Sequence, residues 1–218
     1  MKANTSNIDF TFPITYYFEN KGKRKLVLLL HGYRMHARKA LMDFEQMIPD
    51  AYSILAPNGF FPIPKSDKSI SRMGYSWYFE DHKSNKSIFS VEQSKNALLS
   101  FIESMSLDCE ITIVGYSQGA IVGLSLANEL DNIKKLVLMS ACPLASKYSG
   151  KNKLNILAFH GEDDEVISYN YAKEGYSQLS DSGHKVEFIS FKNTGHNISS
   201  QSSILKSRIY HFLENNNE

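Results

Sequence analysis

Gly115-Tyr116-Ser117-Gln118-Gly119 holds the residues of this chain best suited to chemistry. An apolar, β-branched run, Ile111-Thr112-Ile113-Val114, leads into it, and a helical pattern starts immediately after. A strand that turns sharply into a helix holds the turn residue in a strained backbone conformation, so its neighbours must be small. Gly115 and Gly119 meet that demand, and Ala120 and Gly123 let the helix lie close to the sheet. A serine at such a turn sits at a helix N-terminus, where the positive end of the helix dipole favours a nearby oxyanion. The pattern is that of a nucleophilic serine. The competing reading is a tight turn with an incidental serine, and the presence of partners decides between them.

A serine hydroxyl is a weak nucleophile until a base takes its proton and a third group orients that base. Downstream, the run Leu154 to Phe159 ends in His160-Gly161-Glu162-Asp163-Asp164-Glu165. The run Val186 to Phe191 ends in Lys192-Asn193-Thr194-Gly195-His196. Acidic residues and then a histidine thus follow the serine, each group at the end of a strand, in the order nucleophile, acid, base. Spacing alone leaves Asp163 and Asp164 as rivals for the acid. Of the seven histidines, only His196 lies in the loop directly after the last strand. His184 precedes that strand, His211 falls in a C-terminal helix, and His82 lies in a stretch without period.

Acyl transfer also needs N–H donors aimed at the developing oxyanion, each worth about 3 kcal/mol. The backbone N–H of Gln118, next after the serine, is one. The second is expected after Leu28-Leu29-Leu30-His31-Gly32, where Gly32 permits a sharp turn and the N–H of Tyr33 is best placed.

These residues require elements to position them. Phe10 to Phe18 reads as an antiparallel edge strand, and Lys25 to Leu30 as a strand covered on both faces. Ala37 to Ile48 has helical spacing and Ser53 to Ala56 is a short strand. Phe60 to Lys86 shows no period. Val91 to Met105 is helical with Ser90 as N-cap, Glu110 to Val114 is a strand, and Gln118 to Leu130 a helix. Lys135 to Ser140 and Leu154 to His160 are strands, Tyr169 to Leu179 a helix, Lys185 to Phe191 a strand, and Ser202 to Leu213 a helix. The alternation predicts an α/β fold, a mostly parallel central sheet with helices on both faces, in a single domain over residues 1–218. Reactive groups in such sheets gather beyond the carboxyl ends of the strands.

Composition narrows the partners. The 24 basic residues nearly cancel the 23 acidic ones, which leaves no field to hold a nucleic acid. No segment approaches the roughly 18 consecutive apolar residues of a membrane span, so stable membrane insertion is not expected. Two cysteines, Cys109 and Cys142, are too few for a disulfide framework or a four-ligand zinc site and read as buried, reduced thiols. Met1 to Phe12 has no apolar core of a signal peptide. A cytoplasmic protein fits, as does one exported without a cleaved signal. Oligomeric state has no signal in the sequence.

Four blocks together resemble the phospholipase/carboxylesterase family of α/β-hydrolases, which includes acyl-protein thioesterases. They are Leu28 to Tyr33, Gly115 to Ala120, His160 to Asp164 with Gly195-His196, and Ala56-Pro57 through Gly74-Tyr75-Ser76-Trp77-Tyr78. The resemblance selects Asp164 over Asp163 as the acid. It implies hydrolysis of carboxylic esters or thioesters, no metal, no cofactor and little or no lid. The chain departs from the family at Tyr33-Arg34-Met35-His36, which lacks the glycine usual there, and in carrying Lys65, Asp67, Lys68 and Arg72 in the irregular stretch. Phe60, Phe61, Ile63, Met73, Tyr75, Trp77 and Phe79 are expected to line an apolar acyl groove for short to medium chains, or else to cover the sheet edge. The substrate is then a small-molecule or acylated-protein ester. The alternative from another class is a non-catalytic binding protein on the same fold. A carboxylate nucleophile is excluded by serine at the turn.

Overall fold

Parallel strands buried on both faces need apolar side chains in both directions, and this chain supplies them. In the computed structural model, which describes residues 13–64, 73–81, 86–143 and 152–215, β2 (Lys25–Leu30) points Leu26, Leu28 and Leu30 into one core and Val27 and Leu29 into another. The same division holds in β9 (Ile133–Met139), with Leu136 and Leu138 on one side and Val137 and Met139 on the other. β10 (Asn155–Gly161) repeats it. Helices α2 (Val91–Ser104), α3 (Gln118–Ala127) and α4 (Tyr169–Asp181) cover the first core. Helices α1 (Ala37–Phe44) and α5 (Ser202–Glu214) cover the second.

The sheet has seven strands in the order β1-β3-β2-β8-β9-β10-β11, where β1 is Tyr16–Glu19, β3 Ser53–Pro57, β8 Glu110–Tyr116 and β11 Lys185–Phe191. β1 pairs antiparallel with β3 at the edge and every other pairing is parallel. The chain runs outward from β2 to β3, then returns to the other side of β2 as β8. A crevice forms at such a reversal, beyond the carboxyl ends of the strands on either side of it. Those ends are Leu30, paired with Gly115, so the turn after β2 and the turn after β8 open at one level. Tyr116, Met139 and Phe159 are in register across the next strands, which brings the ends of β9 and β10 to that level too.

Local signals set the boundaries. Ser90 and Gln93 form a reciprocal capping box at the start of α2, as expected of Ser90. His36 caps α1, its Nδ1 accepting from the Lys39 N–H at 3.1 Å. α1 ends at Phe44 and tightens into a 3-10 turn, Glu45–Met47, before Pro49. α3 ends at Ala127, short of Leu130. The stretch from Phe60 to Lys86 is less irregular than its composition suggests. It contains β4 (Phe61–Pro64) paired with β5 (Met73–Ser76), and β6 (Phe79–Asp81) paired with β7 (Lys86–Phe89). Strands this short show no alternation in sequence. Lys65, Asp67, Lys68, Arg72 and His82 lie outside the described residues. Among the described residues no helix is long and apolar enough to cross a membrane.

One contact fixes α3 against the sheet. A Cβ built on Gly119 would lie 2.3 Å from the Leu30 carbonyl oxygen and 2.6 Å from that of His31. These are backbone atoms and cannot swing away. At Gly123 the obstacle is the Ile113 side chain, 2.6 Å off, which can rotate. Alanine in place of glycine within a helix gains about 1 kcal/mol from propensity, whereas overpacking costs about 1–3 kcal/mol. Gly119→Ala is therefore expected to lower the thermal midpoint clearly and Gly123→Ala to change it much less, measured by thermal denaturation of the two variants side by side.

Candidate active site

Ser117 stands at the junction of β8 and α3 with φ 52° and ψ −118°, a region L-residues avoid. Hydrogen bonds hold it there: its N–H donates to the Met139 carbonyl at 2.8 Å, and its own carbonyl accepts from Ala120 at 3.0 Å. Its hydroxyl lies 3.1 Å from Nε2 of His196. His196 Nδ1 is 2.8 Å from Oδ2 of Asp164. Nδ1 faces a carboxylate, so it carries the ring proton and leaves Nε2 free to accept from the serine.

Asp164 rather than Asp163 occupies this position. Asp163 is exposed, whereas the Asp164 side chain is 0% exposed. Oδ1 of Asp164 accepts the N–H groups of Val166 (2.8 Å) and Ile167 (2.9 Å). Oδ2 receives His196 and, at 3.2 Å, Nε2 of His160. His160 Nε2 also lies 2.9 Å from the Ile167 carbonyl, an obligate acceptor, so it carries the proton. Burial pushes the His160 pKa below its ordinary value, so the contact with Asp164 is a neutral imidazole's hydrogen bond rather than an ion pair. Its Nδ1 is buried and finds no partner among the described residues.

The His196 loop is anchored through its backbone. The His196 carbonyl accepts from the Tyr116 hydroxyl at 3.0 Å and the Ser140 hydroxyl at 2.8 Å. Burial, with Asp164 and Asp43 adding to it, pushes the Tyr116 pKa up to about 12, so the phenol remains a donor. At Gly161 a Cβ would fall 2.2 Å from the Thr194 carbonyl and 2.3 Å from that of Gly195. Only glycine lets the acid loop and the histidine loop approach this closely. His184, at the opposite end of the sheet, accepts from the Leu154 N–H at 3.2 Å.

The turn after β2 closes by a bond from the Met35 N–H to the Gly32 carbonyl at 3.1 Å. Arg34, where the family's glycine is absent, takes φ 59°. A side chain there costs roughly 1–2 kcal/mol, and β5 offsets it. Arg34 N–H donates to the Tyr75 carbonyl at 2.9 Å and Tyr75 N–H to the Met35 carbonyl at 2.7 Å. The turn thus forms without glycine because a neighbouring strand braces it. His31 beneath it is fully buried. Its Nε2 accepts from the Gly59 N–H at 2.8 Å, so Nδ1 carries the proton and donates to the Gly32 carbonyl at 2.7 Å. Gln118 opens α3, where the first N–H groups have no intrahelical acceptor.

The expected groove residues separate into two sets. Trp77 is 0% exposed and does not face a groove. Its indole N–H donates to the His31 carbonyl at 2.8 Å, its ring lies 5.0 Å from that of His31, and its carbonyl accepts from the Ser94 hydroxyl. Its amphipathic ring found a buried acceptor, which makes it a support beneath the turn. Phe60 packs edge-on against Trp77 at 5.7 Å and joins the core. Phe61, Ile63, Met73, Tyr75 and Phe79 remain half-buried on the hairpins, with Phe61 packed edge-on against Phe89 at 4.6 Å. The Gln118 side chain ties these hairpins to the nucleophile turn. Its Oε1 accepts the Trp77 N–H at 3.2 Å and its Nε2 donates to the Tyr78 carbonyl at 3.0 Å. Sequence reasoning did not find this pin, nor the roles of His160, Tyr116 and Ser140. The one signal available was a set of polar residues at the ends of otherwise apolar strands.

An arrangement of hydroxyl, imidazole and buried carboxylate beside N–H groups on two turns can deprotonate the serine and accept an acyl group. Comparison with known proteins gives the family and the fold. The sequence model of the phospholipase/carboxylesterase family matches residues 18–217. The acyl-protein thioesterase 1 homolog 1 of Dictyostelium discoideum is 31% identical over 156 residues, which is 65% of this chain and 64% of that protein. The chain thus matches somewhat under two thirds of that relative's length. Among solved structures, a carboxylesterase from Mesorhizobium loti superposes with TM-score 0.70 at 19% identity, covering 94% of this chain and 99% of that one. The acyl-protein thioesterase 2 of Zea mays gives TM-score 0.64 at 17% identity, covering 91% and 100%. At such identity the structural likeness speaks for the fold.

His160 makes stability depend on pH. A histidine whose folded pKa lies below its unfolded value binds fewer protons when folded. Its contribution is full above about pH 6.5, the ordinary imidazole value, and is lost as pH falls below that. Thermal midpoints measured from pH 7.5 to 5 are expected to fall less steeply for His160→Gln than for the parent protein. Identical slopes would remove His160 as the cause.

Proposed function

The chain belongs to the phospholipase/carboxylesterase family, and on that footing we propose that it is a serine hydrolase that cleaves carboxylic esters or thioesters through an acyl-enzyme. One observation carries the reading: the unbroken hydrogen-bonded line from the Ser117 hydroxyl through His196 to the buried Asp164 carboxylate, at 3.1 and 2.8 Å. Ser117 is the nucleophile, His196 the general base and then the acid, and Asp164 the group that orients the imidazole. The backbone N–H groups of Gln118 and Tyr33 receive the oxyanion.

The steps balance as follows. Ser117 Oγ bonds to the carbonyl carbon while its proton passes to His196 Nε2, and the carbonyl electron pair moves onto oxygen. The tetrahedral species collapses, the bond to the leaving oxygen or sulfur breaks, and His196 returns the proton to that atom. Water then attacks the acyl carbon as His196 takes its proton; the bond to Ser117 Oγ breaks, His196 returns the proton to that oxygen, and the carboxylic acid leaves. Asp164 holds the imidazole in one orientation throughout, its own two oxygens fixed by four donors. The half-buried hairpin residues Phe61, Met73 and Tyr75 form the apolar surface for an acyl chain of short to medium length. The thioesterase name of the Dictyostelium relative supports a thioester as well as an oxygen ester, since the same line of groups serves both leaving atoms. The unpaired thiols of Cys109 and Cys142, pushed up in pKa by burial, suit the reducing cytoplasm.

A fluorophosphonate probe is expected to label the protein stoichiometrically and to leave Ser117→Ala unlabelled. Turnover of p-nitrophenyl esters and of acyl thioesters is expected to drop at least about 10⁴-fold in Ser117→Ala. Labelling that persists in the variant, or absence of turnover at every chain length, would reject the proposal.

A further inference from the structure

One cavity borders the site, and none of the residues that line it comes from the aromatic hairpins. It has a volume of about 600 Å³ and lies between α1, the turn Glu45–Met47 and the start of α5. This size falls within the range of small-molecule sites. Met35, Tyr116 and Asn197 are among its lining residues. Each is a neighbour of the reacting groups. Met35 closes the turn that carries the Tyr33 N–H, Tyr116 precedes Ser117 and bonds to the His196 carbonyl, and Asn197 follows His196. The cavity therefore begins on the histidine side of the nucleophile, whereas Gln118 ties the hairpins to its other side.

The position has a chemical meaning that rests on the hydrolase reading above. To receive a proton, the leaving atom must come within about 3 Å of the donor nitrogen, here His196 Nε2. Whatever the leaving atom carries must then extend past the histidine, away from the acyl chain. We propose that this cavity is a leaving-group subsite, and that it takes an uncharged alcohol or thiol with an apolar chain or ring. Its walls include Phe44, Met42 and Met47, and methionine side chains adapt to varied apolar shapes. Its charges are few. Lys39 is paired with Asp43, and Lys206 is exposed at the rim. A thiol bearing several phosphates would find one cation, so an uncharged body fits better.

Two ester series test the proposal on the full chain. One varies the alcohol at fixed acyl group (ethyl, butyl and hexyl butyrate), and the other varies the acyl group at fixed alcohol (ethyl butyrate, hexanoate and octanoate). Aliphatic alcohols differ little as leaving groups, so kcat/KM reports binding. Each methylene buried is worth up to about fourfold, and a rise of at least about tenfold from ethyl to hexyl butyrate is expected. Met42→Trp and, independently, Ser203→Trp place bulk in the cavity from positions exposed on the surface. Each is expected to bring the hexyl-to-ethyl ratio down towards one while the acyl-length ratio holds. A hexyl-to-ethyl ratio unchanged in both variants, or a fall confined to the acyl series, overturns the assignment.

A second readout does not need turnover. In Ser117→Ala labelled with ¹³C-methyl methionine, 1-hexanol is expected to shift the resonances of Met35, Met42 and Met47 and to spare Met73 on the hairpin. Shifts at Met73 alone, or shifts of Met42 and Met47 by hexanoate and not by hexanol, reject the subsite. Absence of turnover in both series would reject the hydrolase reading itself, and the methionine shifts would still decide the cavity's occupant.

Discussion

The close approach of α3 to the end of β2 is the constraint on which the rest of this structure depends. Gly119 packs against the Leu30 and His31 carbonyls with no room for a Cβ. That contact sets the start of the helix against the backbone that leads into the turn after β2. It also sends the Gln118 side chain to Trp77 and Tyr78. Trp77 reaches back to the His31 carbonyl, and His31 holds Gly32. One close backbone contact thus closes a ring of polar bonds around the nucleophile, and each member is buried enough that breaking one bond leaves a donor or acceptor unsatisfied.

A second constraint governs charge. A buried carboxylate is tolerated only where donors replace its water. Asp164 has two backbone N–H groups on one oxygen and two imidazoles near the other. His160 is neutral, so it contributes a dipole without adding a cation beside His196. The arrangement keeps one formal negative charge in the site. That carboxylate faces the ring of His196, whose side chain is 20% exposed at the surface of an otherwise closed network.

Much of this was legible in the sequence, for identifiable reasons. The sheet showed because strands buried on both faces must be apolar throughout, as in Leu26 to Leu30 and Leu136 to Met139. The juxtaposition of Ser117 and His196 with an acid at 163 or 164 was legible because strand-end loops in a parallel sheet converge; the choice of Asp164 came from the family resemblance, since its burial has no local signal. Trp77 was misread as a groove residue because its burial is decided by His31 and Ser94, distant in sequence and silent in any local pattern. The hairpins over Phe61 to Phe89 escaped notice because strands of three or four residues are too short to alternate visibly. Arg34 raised a question about the turn that only its brace, β5, could answer. The bond between His160 and Asp164 was hidden for a simpler reason: a histidine at a strand end looks the same whether it faces solvent or a carboxylate.

The two sides of Ser117 differ in mechanical character. On the hairpin side, Gln118, Trp77 and Ser94 lock short strands to the elbow through bonds to backbone groups, and half-buried rings pack edge-to-face. A surface built this way has a defined shape and discriminates by fit. On the histidine side, the cavity wall includes methionines, one of them, Met42, 66% exposed, and the walls come from helices whose own hydrogen bonds do not depend on the cavity. Such a surface accommodates varied shapes at little cost. An enzyme with a firm acyl side and a yielding leaving-group side would choose substrates mainly by the acyl chain. The asymmetry follows from where the bonds lie: the turn at Ser117 is pinned to the hairpins by the Gln118 side chain, while the histidine loop is held through its backbone by Tyr116 and Ser140.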